Sequence, residues 1–296
     1  MTHGRSWQAR PPANIRIALD RTSVNLRRLF RVVTLRKRSA AVALFLRLAS
    51  FQAFAAGPID TDGPDFVESS EVVGEARFQY EADVMSERDH RNSLRLTRTS
   101  TPTLLKYGIT DAIEIRLESE GYIRTTGDSG NTATRSTGTG DTALGVKWHS
   151  QDRDAAAGIP AVSWILHVEG PSGTNGLRGH GIRPSLRSVM TWDLPHDLTL
   201  GLMPGIKYDA GEDSHRFASG ILGTVLNKRL TENSRAFFEA SATQLARGRD
   251  GGVLADWDIG AAYLLSRETQ IGFRAGIAAN RNTPDGFVLL ELAQRY

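Results

Sequence analysis

Residues 253–265 alternate in character at every step. Val253, Ala255, Trp257, Ile259, Ala261, Tyr263 and Leu265 fall on one face of an extended chain, while Leu254, Asp256, Asp258, Gly260, Ala262 and Leu264 fall on the other. Strands of soluble proteins are usually about 5–6 residues long, whereas a tilted strand that crosses a bilayer takes about 9–11. A run of this length therefore points to a membrane crossing. Lipid offers no partner to a free backbone N–H or C=O, so only helices and closed barrels can span it. The chain has no stretch of about 20 apolar residues, which excludes a bundle of membrane helices and leaves a barrel.

The same period recurs in 72–84, 112–123, 182–194, 198–208 and 270–280, with weaker candidates at 93–106, 139–149, 160–170, 216–228, 233–245 and 286–296. The expected fold is all-β, an antiparallel transmembrane β-barrel of about 12 strands, an even number as in bacterial single-chain barrels. The competing architecture is a soluble sandwich or lipocalin-like barrel with its apolar face inward. Short connections at 107–111, 193–197, 228–232 and 266–269, with a longer one at 150–159, alternate with polar, often glycine-rich ones at 85–92, 124–138, 170–181, 209–215, 246–252 and 280–285. Such a barrel carries short turns at its periplasmic rim and long loops outside the cell.

The formal net charge of the 296-residue chain is +3. Residues 1–56 hold eleven Arg and Lys against one acid, Asp20, so residues 57–296 carry −7. The basic balance belongs to the leader and gives no ground for nucleic-acid binding by the folded part. Arg36-Lys37-Arg38, the apolar run Ala40–Leu46 and Ala53-Phe54-Ala55 have the order of a secretory signal peptide, interrupted at Arg47. The expected organisation is an N-terminal extension and signal peptide over 1–55, a segment over 56–70 that is acidic, and an outer-membrane barrel over 71–296. The chain has no cysteine, which suits passage through an oxidising periplasm and removes thiolate metal sites and cysteine nucleophiles.

Several motifs, in order, carry a family resemblance. They are the acidic, proline-containing stretch Asp60–Ser69, the pair Tyr107-Gly108-Ile109-Thr110-Asp111 with Glu114 and Arg116, and Gly140-Asp141-Thr142-Ala143-Leu144-Gly145-Val146-Lys147-Trp148. Asp258, Gly260, Tyr263-Leu264-Leu265 and Asn282-Thr283-Pro284-Asp285 follow. Over residues 60–296 the chain resembles the outer-membrane transporter family known as "MetA-pathway of phenol degradation". The resemblance implies a barrel that moves a small solute, aromatic or hydrophobic, across the outer membrane, without making phenol that solute. The final strand ends in Tyr296 and is similar to the C-terminal signal read by the barrel-assembly machinery.

The inward set expected to line a pore is Glu75, Arg77, Glu114, Arg116, Glu118, Asp141, Lys147, Arg183, Arg187, Lys207, Asp256, Asp258 and Arg274. Two readings of it stand open: a polar path that orients solute, or a salt-bridged network that fills a narrow lumen. The segment before the first strand has two readings as well. Asp62, Asp65 and Glu68 either enter the lumen as a plug and meet the inward arginines, or belong to a periplasmic tail. Three functions follow in order: a channel or transporter for a small solute, a closed structural or adhesion barrel acting through its loops, and a hydrolase. For the last, His167 with Ser163 is the one pair worth testing, and no nucleophile motif surrounds it. The histidines are scattered, so no metal or cofactor is expected. The expected partners are the solute, outer-membrane lipid and the assembly machinery. Residues 1–31 are too long and basic for an ordinary leader, and translation is expected to start near Val32 or Val33, the alternative being a genuine disordered extension. Mass spectrometry of the precursor checks this: no peptide from residues 1–25 is expected, and finding one refutes the internal start.

Overall fold

The computed structural model describes residues 57–91, 94–130, 133–211 and 214–296. The expected signal peptide and translation start lie outside the described residues. Fifteen strands form one closed antiparallel sheet. They are β1 (Phe78–Arg91), β2 (Leu94–Ser100), β3 (Thr103–Thr110), β4 (Ile113–Ser119), β5 (Tyr122–Asp128), β6 (Ala133–Thr139), β7 (Thr142–Gln151) and β8 (Ala161–Gly170). After them come β9 (Arg183–Leu194), β10 (Leu198–Ala210), β11 (Arg216–Thr231), β12 (Ser234–Leu245), β13 (Val253–Ser266), β14 (Thr269–Ala278) and β15 (Gly286–Arg295). The sheet closes where β15 pairs with β1, from Gln79↔Arg295 to Arg88↔Gly286.

Three pairs of these strands are single staves broken in the middle. β3 and β2 follow one another alongside β1. β4 and β5, and likewise β7 and β6, continue each other in the same way. Fifteen strands therefore make a twelve-stave barrel, as the sequence predicts.

The breaks lie side by side at Thr101-Pro102, Glu120-Gly121 and Gly140-Asp141. Pro102 has no N–H for the ladder. Gly121 takes a φ of +66°, and a Cβ there would stand 2.0 Å from the Thr101 carbonyl oxygen. The seam is held by Thr101 N–H to Tyr122 O at 3.1 Å and Gly140 N–H to Gly121 O at 2.9 Å. Beyond it, the outer part of β1 with β2, β5 and β6 rises as a four-stranded flap at the long-loop rim. The barrel pairing of β7 with β8 stops at Thr142↔Gly170, and β6 is paired with a strand only on its β5 side.

The two faces separate as the alternation requires. Ile259 is 59% exposed and Leu290 60%, while their neighbours Asp258 and Glu291 are buried. An apolar belt that stays exposed on a closed barrel is a lipid-facing surface. Trp148 and Trp164 face each other across β7 and β8 near the short-turn rim. Phe78 and Tyr296 stack there at 6.3 Å. Trp257 stacks on Phe238 of the neighbouring strand at 5.8 Å.

Three expectations are corrected. The strand expected over 72–84 begins only at Phe78, because Gly74 and Ala76 take positive φ (86° and 56°) and turn the chain. Glu75 and Arg77, expected to line the pore, therefore precede the wall. Segments 85–92 and 124–138, expected as loops, are largely strand: β1 runs to Arg91, and β5 and β6 form a hairpin. Ser86–Arg91 and Thr125–Asp128 are polar on both faces, so hydrophobic period carries no signal there, whereas β2 falls within the strand expected over 93–106.

Replacing Ile259, mid-strand on the outward face, by Arg is expected to destabilise the barrel by about 2–4 kcal/mol, with Ile259→Leu near neutral. Denaturant titration of heat-modifiable electrophoretic mobility measures this, and an unchanged midpoint for Ile259→Arg means that the face is not in lipid.

A threaded lumen as candidate functional site

The inward face carries charge of both signs, and a charge in a lumen must be hydrated or paired. Much of the pairing is made by the segment Gly57–Val73, which runs inside the barrel before β1 begins. At its start, Arg295 donates to Gly57 O at 2.7 Å, and the Ile59 amide donates to Arg267 O at 2.7 Å. Gln79 donates to Asp60 O at 2.8 Å, and Gln270 to the Thr61 hydroxyl at 2.6 Å.

Asp62 sits at the centre. One carboxylate oxygen takes Lys147 at 2.7 Å, and the other takes Lys106 at 2.9 Å and Arg116 at 3.1 Å. Its own amide donates to Glu81 at 3.0 Å. Lys147 and Glu114 are fully buried. Further along, Asp65 pairs with Arg235 at 2.7 Å, and Glu68 pairs with Arg116 at 2.5 Å and with Arg187. The amides of Phe66 and Val67 donate to the two oxygens of Glu239 at 2.8 and 2.7 Å. The Val73 amide donates to Glu114 at 2.9 Å, and the Ser70 carbonyl accepts from His149 at 2.8 Å and from Ser163. The segment is thus tied to β1, β3, β4, β7, β8, β9, β12, β14 and β15. Breaking one partner of such a buried pair costs about 3–5 kcal/mol, because the other charge is left stranded.

The β10–β11 wall meets the segment through packing. Val67 belongs to a buried cluster with Ile165, Val189, Met203, Val225 and Phe237. The wall has no side chain where Val67 enters: a Cβ at Gly223 would lie 2.7 Å from Val67 Cγ2, and one at Gly201 3.0 Å from its Cγ1.

The pore-lining residues of the sequence reading fall into three groups. Glu114, Arg116, Lys147 and Arg187 meet the threaded segment, and Glu118 joins them through Arg116 at 3.2 Å and His167 at 3.0 Å. Asp141, Arg183 and Lys207 gather at the long-loop rim. Asp141 accepts from the amides of Gly173 and Gly179, each at 2.7 Å, and from Arg183, and so ties down the connection between β8 and β9. Lys207 reaches Asp209 at 3.1 Å and Glu169 at 3.4 Å. Asp256, Asp258 and Arg274 form the third group: Arg274 meets Asp258 at 2.7 Å, Glu239 at 3.2 Å and Asp256 at 3.6 Å. Glu75 and Arg77 stand apart, with the Glu75 amide on Asp111 at 3.2 Å.

Sequence reasoning missed Lys106, Arg235 and Glu239, and placed Gln270 on the inward face beside Arg274 without giving it a role. Lys106 could be found by parity from Tyr107. Glu239 sits in Ala236–Ala242, where both faces hold small or apolar residues and the alternation is masked. It also missed the apolar inner wall: Val189 has the inward parity of Arg183 and Arg187 but carries no charge to mark it, and Phe237 lies in a strand whose two faces the alternation does not separate.

Ser163 and His167, the pair singled out for hydrolysis, face different partners. Ser163 is fully buried and bonded to the Ser70 carbonyl, while His167 lies between Arg187 at 2.5 Å and Glu118 at 3.0 Å. Ser163 Oγ lies 3.4 Å from His149 Nδ1, and His149 Nε2 meets Asp152 at 2.9 Å, but the threaded segment covers the hydroxyl. Among the described residues no group of His, Cys, Asp or Glu could hold a metal ion. On the short-turn side a cavity of about 700 Å³ opens beside the segment, lined among others by Asp65, Val67, Thr199, Asn227, Arg229 and Arg235.

Among solved structures, the COG4313 outer membrane channel from Pseudomonas putida F1 matches with a TM-score of 0.61 at 12% identity, over 79% of this chain and 99% of that one. The translocator domain of the autotransporter NalP from Neisseria meningitidis matches at 0.49 and 11% identity, over 90% of this chain and 99% of that one. The CymD monoaromatic hydrocarbon channel matches at 0.41 and 9% identity, over 75% and 88%. At 12% identity the first likeness is one of fold. No curated protein matches the sequence. The model of one family matches residues 61–296, which span the threaded segment and the whole barrel, and the chain belongs to that family, described as "Putative MetA-pathway of phenol degradation".

Proposed function

We propose that this chain is an outer-membrane channel of a Gram-negative bacterium that passes a small solute, and that Gly57–Val73 is a plug that yields during passage. The observation that carries the reading is the threading itself: Asp62, Asp65 and Glu68 are seated on lumen cations from β3, β4, β7, β9 and β12. A segment held by exchangeable ion pairs, rather than by continuous strand pairing, can be released without opening the barrel. The short-turn rim then faces the periplasm and the long loops face outward.

The solute class follows from what the plug covers. Moving Val67 aside uncovers Ile165, Val189, Met203, Val225 and Phe237, an apolar strip inside a charged lumen. That strip suits an aromatic or hydrophobic molecule, with charged residues on the other staves orienting its polar end. The family's description, which names phenol degradation, is in keeping with this, and the channel of like fold from Pseudomonas putida supports passage across the outer membrane without naming a solute. In this reading Glu114, Arg116, Glu118, Lys147 and Arg187 hold the plug, Asp256, Asp258 and Arg274 line the path, and Asp141, Arg183 and Lys207 fix an outer loop. The last strand with Tyr296 is what the barrel-assembly machinery engages.

The second reading, a closed barrel that displays its loops, is favoured by the clamp of Asp141 on the β8–β9 connection. Conductance in planar bilayers separates the two. The unaltered chain is expected to conduct weakly, and Asp62→Lys with Glu68→Lys to raise single-channel conductance on the order of several-fold as the plug is expelled. Lys147→Glu, which places like charge beside Asp62, is expected to act in the same direction. Folded but silent variants overturn the channel reading in favour of the closed barrel.

A further inference from the structure

The outward face of the flap differs from the rest of the barrel exterior. Cross-strand register fixes which residues share it. Ser86 of β1 stands beside Thr99 of β2, Arg124 of β5 and Thr137 of β6. One rung further out are Arg88, Thr97, Thr126 and Arg135, and beyond them His90, Arg95 and Asp128. Arg88, Arg95, Arg124 and Arg135 are all exposed, and among the described residues none has an ion-pair partner. The flap's other arginines are satisfied: Arg98, on the inner face, holds Glu87 at 3.0 Å and Glu120 at 2.9 Å, and Arg91 holds Asp89 at 2.9 Å.

Strand spacing and rise put the Cα atoms of Arg88 and Arg95, and those of Arg124 and Arg135, roughly 8 Å apart, with the four inside about 15 Å. Serine and threonine hydroxyls fill the positions between them. A groove of about 760 Å³ runs along the first pair, with Ser86, Arg88, His90, Arg95, Thr97 and Val288 in its walls. Of the acids on that groove, Asp89 is taken by Arg91, and Asp285 accepts the His90 amide at 2.8 Å.

The height of this face decides its partner. Arg88 stands one rung above Ser86, which faces the exposed, lipid-side Val288, and Arg124 stands one rung above the exposed Tyr122. Elsewhere around the barrel, positions toward the same rim remain apolar and exposed at Val168, Ile182, Tyr208, Val253 and Ile277. The cations are therefore a local patch where the lipid belt ends.

We propose that this patch binds the phosphorylated glycolipid of the outer leaflet. Arg88 and Arg95 would grip one phosphate and Arg124 and Arg135 another, while the hydroxyls between them bond sugar oxygens. Paired guanidinium groups suit phosphate through parallel N–H bonds, and acyl chains would lie on the apolar belt beneath. The proposal rests on the outer-membrane orientation given above, but not on conduction.

The test is native mass spectrometry of the full-length chain purified from outer membranes into detergent and offered lipid A, dephosphorylated lipid A and phosphatidylglycerol. Intact lipid A is expected to be retained about tenfold better than either of the others, with the preference falling as salt rises. Substituting all four arginines (R88Q, R95Q, R124Q, R135Q) is expected to abolish the preference in a barrel that keeps its heat-modifiable mobility. R88K with R95K, R124K and R135K is expected to keep part of it, and R229Q with R249Q and R281Q all of it. Equal retention of lipid A and its dephosphorylated form, equal retention of phosphatidylglycerol, or an unchanged preference in the four-glutamine variant overturns the proposal. A chain that does not conduct but keeps the preference counts against the channel reading alone.

Discussion

The carboxylate of Asp62, met by Lys106, Arg116 and Lys147, is the contact on which the interior depends. Three cations from neighbouring staves cannot stand together in a sealed lumen without an anion between them, because their mutual repulsion and desolvation both oppose burial. The anion comes from a segment that is not part of the wall. The wall answers part of this charge itself, with Glu81 on Lys106 at 2.5 Å and Glu118 on Arg116 at 3.2 Å, whereas Lys147 has Asp62 as its one ion-pair partner among the described residues, so the barrel and the threaded segment form one electrostatic unit.

Around that centre the plug is held in two ways that differ in reversibility. Glu81 and Glu239 accept its backbone amides and Arg235 holds Asp65, so the contacts are polar and can be replaced by water. Val67 instead enters a pocket made by bare glycines on β10 and β11 and packs on Met203 and Val225. In the proposed function, a solute with an apolar body competes for that pocket, while ions compete for the pairs. The seam at Pro102, Gly121 and Gly140 serves a separate end. It lets three staves continue past the lipid belt as a flap without forcing the lower barrel to extend with them.

Much of the barrel is legible in the sequence, because lipid on one side and a hydrated or salt-bridged interior on the other impose strict alternation, as in 253–265. It becomes illegible where that contrast ends. In the flap, Ser86–Arg91 and Thr125–Asp128 are polar on both faces, so strand and loop look alike. In β12, Ala236–Ala242 is small or apolar on both faces, so Glu239 is hard to place. The inward cations Arg116, Lys147 and Arg187 follow from parity alone. The turn that begins the wall at Phe78 does not, since it depends on a positive φ at Ala76, a residue that rarely adopts one.

The central claim is that solute passes only when the segment around Val67 leaves the lumen wall. The chain contains no cysteine, so a single lock can be introduced cleanly. Val67→Cys with Gly223→Cys joins plug to wall where a Cβ at 223 would lie 2.7 Å from Val67 Cγ2. Uptake of a small aromatic solute into liposomes carrying this variant is the direct measurement. The account predicts that flux is lost in the oxidised protein and restored by reductant. Equal flux in the oxidised and reduced forms contradicts it, and shows that solute passes beside a stationary plug.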